Sequence, residues 1–131
     1  VKLLLDTHVW LWMALAPQRL GSDSRALLTD RANPIFLSIA SAWEIVVKAA
    51  RGRLELPMDA PAYLRSRLAR SGAELLNLSL DHLFALGSLP DHHRDPFDRV
   101  LVAQAKVEGM SLISADPRVL AYPIVTIDAR R

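Results

Sequence analysis

The chain has 131 residues, about half of them apolar (51%), with 16 basic and 14 acidic side chains and no cysteine. This length supports one domain with a real core, residues 1–131, and is too short for two; the lack of thiols excludes disulfides, thiolate zinc sites and cysteine nucleophiles. No apolar run approaches the roughly 20 residues of a membrane span, and no basic segment leads into a long apolar one at the N-terminus, so a soluble, cytoplasmic protein without membrane contact is expected.

In chain order, Lys2 to Leu5 reads as a strand that ends on an acid, Asp6, and the apolar stretch Val9 to Ala16 reads as a helix stopped before Pro17. Ser22 is a good N-cap for a second helix running toward Arg31. "PIFLS" at 34–38 is a second strand, and "SAWEIVVKAARG" a helix closed by Gly52. Asp59 caps the next helix, with Pro61 in its first turn and Gly72 at its end. "AELLNLS" supplies a third strand, "LDHLFALGSL" a short helix, and "PDHHR" a loop. A helix follows from Pro96 to Glu108, with Gly109 as its stop. "MSLIS" and "YPIVTI" are strands four and five.

Strands that alternate with helices, and are apolar throughout, predict a parallel sheet covered on both faces, an α/β fold. In such sheets the active crevice lies beyond the carboxyl ends of the strands. Asp6 sits at one of those ends, where a lone buried carboxylate would be costly without a cation or several donors. Glu44, Asp95, Asp98 and Asp116 fall at equivalent places, each at a strand C-terminus or near a helix N-terminus. Singly, each has a capping or helix-dipole reading, Asp95 before Pro96 above all. Together they read as a site, because like charges gathered without a cation repel. Carboxylates with no Cys and no organised His set suit a hard ion, Mg²⁺ or Mn²⁺, which on such ligands supports phosphodiester hydrolysis.

"LLLDTHVWLW", "SAWEIVVK", "HHRDPFDRVLVAQA" and "LISADP", in this order and spacing, resemble the PIN-domain ribonucleases, specifically the VapC toxins of toxin–antitoxin modules. The resemblance covers essentially the whole chain, and "HRDPFDR" with "LVAQA" is its most specific part. It implies a five-stranded parallel sheet in the order 3-2-1-4-5, flanked by helices on both faces. It also implies catalytic, metal-holding acids at Asp6, Glu44, Asp98 and Asp116. Asp95 is an accessory candidate, with Ser114 and Thr7 as hydrogen-bond partners of the acids. His93 and Arg94 flank the site as candidate phosphate contacts, although paired loop histidines such as His92 and His93 are more often simply solvated. Implied partners are an RNA substrate, a cognate antitoxin protein and a second copy of the chain.

Of the 16 basic residues 13 are Arg, the better phosphate ligand, clustered at 51–53 and 65–70. With the four site acids set aside, 10 acids face 16 bases, a balance suited to a polyanion. The helix "HVWLWMALA" is apolar nearly all round, with Trp10 and Trp12 on different faces. One face is therefore expected to be covered by a second subunit or an antitoxin segment. Two rival readings are weaker. A catalytically silent PIN-like binding module would have no need of four converging acids. A phosphatase of the haloacid dehalogenase type would want an acid where His8 stands.

Overall fold

The computed structural model describes residues 1–131. Its sheet comprises β1 (Leu3–Leu5), β2 (Ile35–Ser38), β3 (Glu74–Leu76), β4 (Ser111–Ser114) and β5 (Thr126–Asp128). All neighbours pair in parallel, in the order 3-2-1-4-5, as expected. Seven helices connect them: α1 (Thr7–Leu15), α2 (Ser22–Thr29), α3 (Ile39–Ala50), α4 (Ala60–Ser71), α5 (Leu80–Leu86), α6 (Pro96–Glu108) and α7 (Pro117–Leu120). A single 3-10 turn, Pro17–Arg19, follows α1. No helix is long and apolar enough to cross a membrane.

β1 is central, and its alternating side chains feed two cores. Leu3 and Leu5 join Val9, Trp10, Leu37, Ile45 and Ile113 on one face. Leu4 joins Leu101, Val102, Leu112 and Tyr122 on the other. Both faces are thus covered, which explains why β1 is apolar at every position. The site follows from this arrangement. β1 and β4 are neighbours whose connections leave in opposite directions along the sheet, so a crevice opens beyond Leu5 and Ser114.

Local chemistry accounts for most boundaries. Asp95 caps α6 ahead of Pro96, and Gly109 ends it in the left-handed region at φ 66°. Asp59 and Gly72 bound α4 in the same way. Two helices begin earlier than expected because the preceding strand end itself caps them. Asp6 caps α1 directly, and Ser38 caps α3 by accepting the amide of Ala40. Ser22 is not the cap of α2. Gly21 holds that position, and the C-terminal residue lends its backbone oxygen to the amides of Asp23 and Ser24 at 2.9 and 3.3 Å. A Cβ at residue 21 would lie 2.0 Å from the Arg131 backbone, so only glycine admits this approach. The third and fifth strands are shorter than their apolar runs. Ser79 caps α5 soon after β3, and Pro123, which has no amide to donate, keeps Tyr122–Ile124 out of the ladder.

Of the two tryptophans of α1, Trp10 enters the core, as one face of the helix was expected to, and Trp12 on the other face is partly covered by the chain itself. Trp10 is buried edge-on against Tyr63 and donates its indole N–H to Ser71 at 3.3 Å. Trp12 is half-buried, with the Arg19 guanidinium 4.5 Å above its ring. Leu15, at the end of α1, is exposed, and other large apolar side chains stand out on α3 (Trp43, Val46) and α5 (Leu80, Phe84).

Candidate active site

The sheet gathers the expected acids in one cleft of about 550 Å³, together with Thr7 and His93. Asp6 follows β1, Asp116 lies two residues beyond β4, Glu44 is in the second turn of α3, and Asp98 is in the first turn of α6. Asp6, Glu44 and Asp98 are only 2%, 5% and 9% exposed. Burial of Asp6 is offset by donors on both oxygens: the Thr7 amide at 2.8 Å and the Ser114 hydroxyl at 2.7 Å. Ser114 Oγ in turn accepts the Asp116 amide at 3.0 Å, so one hydroxyl ties the ends of β1 and β4 together. Thr7 Oγ1 donates to Glu44 Oε1 at 2.6 Å, and Lys48, one turn along α3, pairs with the other oxygen of Glu44. Asp116 caps α7 and is gripped by the Arg118 guanidinium at 3.2 Å.

His93 is neither solvated nor at the rim. Its ring is buried, and Nδ1 accepts the Asp95 amide at 3.2 Å. The proton therefore sits on Nε2, which lies 2.8 Å from Asp98 Oδ2 and 3.2 Å from Asp116 Oδ2. One imidazole nitrogen thus hydrogen-bonds Asp116 and stands beside Asp98. The Tyr122 hydroxyl accepts the His93 amide at 3.1 Å and an Arg99 N–H at 3.0 Å, which holds the loop down. His92 packs its ring against Tyr122 and is exposed, as is Arg94, which makes no hydrogen bond or ion pair. Asp95 turns back to accept the Phe97 amide at 2.9 Å, the geometry of an N-cap. Asp95→Ala should therefore cost about 1 kcal/mol of stability in chemical denaturation, whereas Asp95→Asn, which keeps the accepting oxygen, should cost much less.

The charges are out of balance around Asp98. Desolvation, then the charges of Asp6, Asp95, Glu44 and Asp116, push its carboxyl up to about 8. Burial acts upward on Asp116 too, but the hydrogen bonds and charge of Arg118 outweigh it and hold that carboxyl below its ordinary value. The hydrogen bond to Glu44 raises Lys48 against desolvation.

This donor set fits a hard divalent cation. Ligand atoms of His93, Asp98 and Asp116 lie within 4.8 Å of one another, with Asp6 lining the same cleft. Of that trio the two carboxylates are the usable ligands, because the proton on Nε2 makes His93 a donor. A hard divalent ion would supply the countercharge for an Asp98 carboxyl that burial and the neighbouring carboxylates push up. Glu44 is drawn aside by Lys48 and does not belong to the tight group.

Sequence reasoning missed Lys48 and Arg118, the cations that partner Glu44 and Asp116, although Lys48 stands at the readable i+4 spacing from Glu44. It also missed Tyr122, whose hydroxyl meets His93 only through the fold.

A family model described as PIN domain matches residues 3–124. The chain is 39% identical over 61 residues to Ribonuclease VapC16 of Mycobacterium tuberculosis (strain ATCC 25618 / H37Rv). That match spans 47% of this chain and 42% of the relative, less than half the length of either. Among solved structures, VapBC2 from Rickettsia felis bound to a DNA fragment from its promoter superposes with a TM-score of 0.74, at 16% identity and 98% coverage of both chains. DNA-bound VapBC from Salmonella typhimurium does so with a TM-score of 0.70, at 15% identity and 98% coverage of both. At such identities these structures speak for the fold. The family match runs from β1 past α7 and takes in every acid of the cleft, so the chain belongs to the PIN-domain family.

Proposed function

We propose that this chain, acting as one catalytic domain, is a metal-dependent ribonuclease and the toxin of a toxin–antitoxin pair, working in the cytoplasm. The observation that carries the reading is the convergence of Asp6, Glu44, Asp98 and Asp116 in one cleft, where burial and then the charges of its neighbours push the Asp98 carboxyl up to about 8. Mg²⁺ or Mn²⁺ would be held by these four acids, Glu44 after release from Lys48, and would supply an activated water and charge stabilisation at the phosphodiester. The chain's own groups do the positioning. Ser114 and the Thr7 amide fix both oxygens of Asp6, Thr7 Oγ1 orients Glu44, and the His93 ring sets the spacing of Asp98 and Asp116. Arg94, exposed beside His93 and unpaired though not itself part of the cleft lining, is the proposed contact for a more distant substrate phosphate.

An antitoxin and a second copy of the chain are the proposed protein partners, in keeping with the VapBC complexes that share the fold. The apolar surface to receive them is at hand. Trp43, 61% exposed, stacks edge-on with Phe97 on α6, and Phe84 and Leu80 stand out from α5.

Cleavage of total RNA should fall to background in excess EDTA and return when Mg²⁺ or Mn²⁺ is restored, followed on a denaturing gel. Undiminished cleavage in EDTA would end the metal-nuclease reading.

A further inference from the structure

One wall of the cleft is not used by the acids. From Asp6 outward it runs through His8, Trp12 and Arg19. The His8 Nδ1 lies 3.8 Å from Asp6 Oδ2, the His8 and Trp12 rings are 4.9 Å apart, and the Arg19 guanidinium covers Trp12 at 4.5 Å. His8 Nε2 accepts the Ala115 amide at 2.9 Å, so its remaining ring proton is on Nδ1, on the side of the acids. The four cations that line the cleft divide into two kinds. Lys48 and Arg118 are paired with Glu44 and Asp116, whereas Arg19 and Arg53 pair with no carboxylate and are exposed. A half-buried indole ring between the acids and unpaired guanidinium groups offers what a single-stranded nucleic acid presents in complement: a flat base next to a charged phosphate. A peptide ligand has no comparable need of both a stacking ring and free guanidiniums beside the acids.

We infer that this wall is the subsite for the nucleotide adjoining the scissile phosphate, with its base stacked on Trp12 and its phosphates met by Arg19, Arg53 and the His8 Nδ1 proton. The inference rests on the ribonuclease reading for the word scissile, but the stacking subsite stands or falls by binding alone. Arg19 holds the stacking position in the free protein as a planar cation over the ring. Having no acid partner, it can swing to a phosphate without breaking an ion pair. Sequence tolerance follows, because every base has a π-face and the wall offers no fixed pattern of donors to base edges.

The test compares a short single-stranded RNA with an abasic ribose–phosphate chain of the same length. Affinities are measured by fluorescence anisotropy on the full chain carrying Asp98→Asn, with wild-type cleavage assayed in parallel. Trp12→Ala should weaken RNA binding about tenfold while leaving the abasic chain unaffected, and Trp12→Phe should keep most of the discrimination. Trp12→Leu, which preserves bulk toward the core, serves if the alanine variant does not fold. Arg19→Ala should weaken both ligands and lower the salt dependence of binding by about one phosphate contact. Equal affinity for RNA and abasic chain with Trp12 present would overturn the subsite. So would unchanged RNA affinity in a folded Trp12→Leu variant that loses a protein partner, which would assign the wall to a polypeptide. Discrimination that persists in a wild-type protein with no cleavage activity would uphold the subsite and remove the catalytic reading instead.

Discussion

Asp98→Asn should leave a folded protein whose RNA cleavage is reduced roughly a thousandfold. The substitution keeps the size of the side chain and an oxygen beside the His93 ring, but removes the charge that most needs a cation. Two further readouts separate loss of a ligand from loss of structure. In EDTA at pH 8 the variant should melt at a higher temperature than wild type, since one member of a repelling cluster is gone. It should also lose most of the stabilisation that Mg²⁺ or Mn²⁺ confers on wild type, which binds the ion only when folded. Asp95→Asn is the counterpart: a cap with its accepting oxygen retained, and therefore much of the activity. If Asp98→Asn stays active while Asp95→Asn is dead, ligand and cap have been assigned the wrong way round.

These two acids also mark what a sequence can disclose. The α6 boundary was legible because all of its determinants are local: Asp95, Pro96 and Gly109 each act within a turn of the helix end they specify. The convergence of acids was legible through their shared position at strand ends. The 3-2-1-4-5 order came from family resemblance, because nothing in a short apolar strand says which neighbour it takes. What stayed hidden depends on long-range contact. Ser114 was legible as a partner of the acids, but not that its hydroxyl reaches Asp6 across 108 residues; nor was it legible that Gly21, not Ser22, holds the N-cap position of α2, with the Arg131 oxygen accepting the first free amides. His93, in a polar loop that reads as solvated, is buried because Tyr122 and Arg99 fasten the loop over Asp98 and Asp116. Arg19 reaches Trp12 because Pro17 opens a 3-10 turn that carries the chain back over α1.

The metal-free protein should lose stability as pH rises from about 4 to about 8, against the usual trend for globular proteins. Asp98 titrates near its ordinary value of 3.8 when unfolded and at about 8 when folded. Between those limits the folded state holds a proton that the unfolded state has released. Each pH unit upward therefore favours unfolding, and the stability linked to this proton is complete below about 4 and spent above about 8. Asp116 acts in the opposite sense. Its lowered carboxyl contributes stability above the ordinary value and loses it only as pH falls into the acid range, so the optimum of the metal-free chain should lie near pH 4 to 5. The raised Lys48 matters only well above pH 8, outside this window. The neighbouring acids share the cost borne by Asp98, which limits the expected fall to a few kcal/mol, a drop in Tm of roughly 10 °C for a chain of this size. Mg²⁺ or Mn²⁺ at pH 8 should reverse most of it, because the ion takes the place of the proton among the carboxylates. Asp98→Asn should flatten the profile in EDTA. Melting curves across pH with and without the ion decide the matter, and a metal-free wild-type Tm that stays level or climbs from pH 4 to 8 would show that these acids do not strain one another.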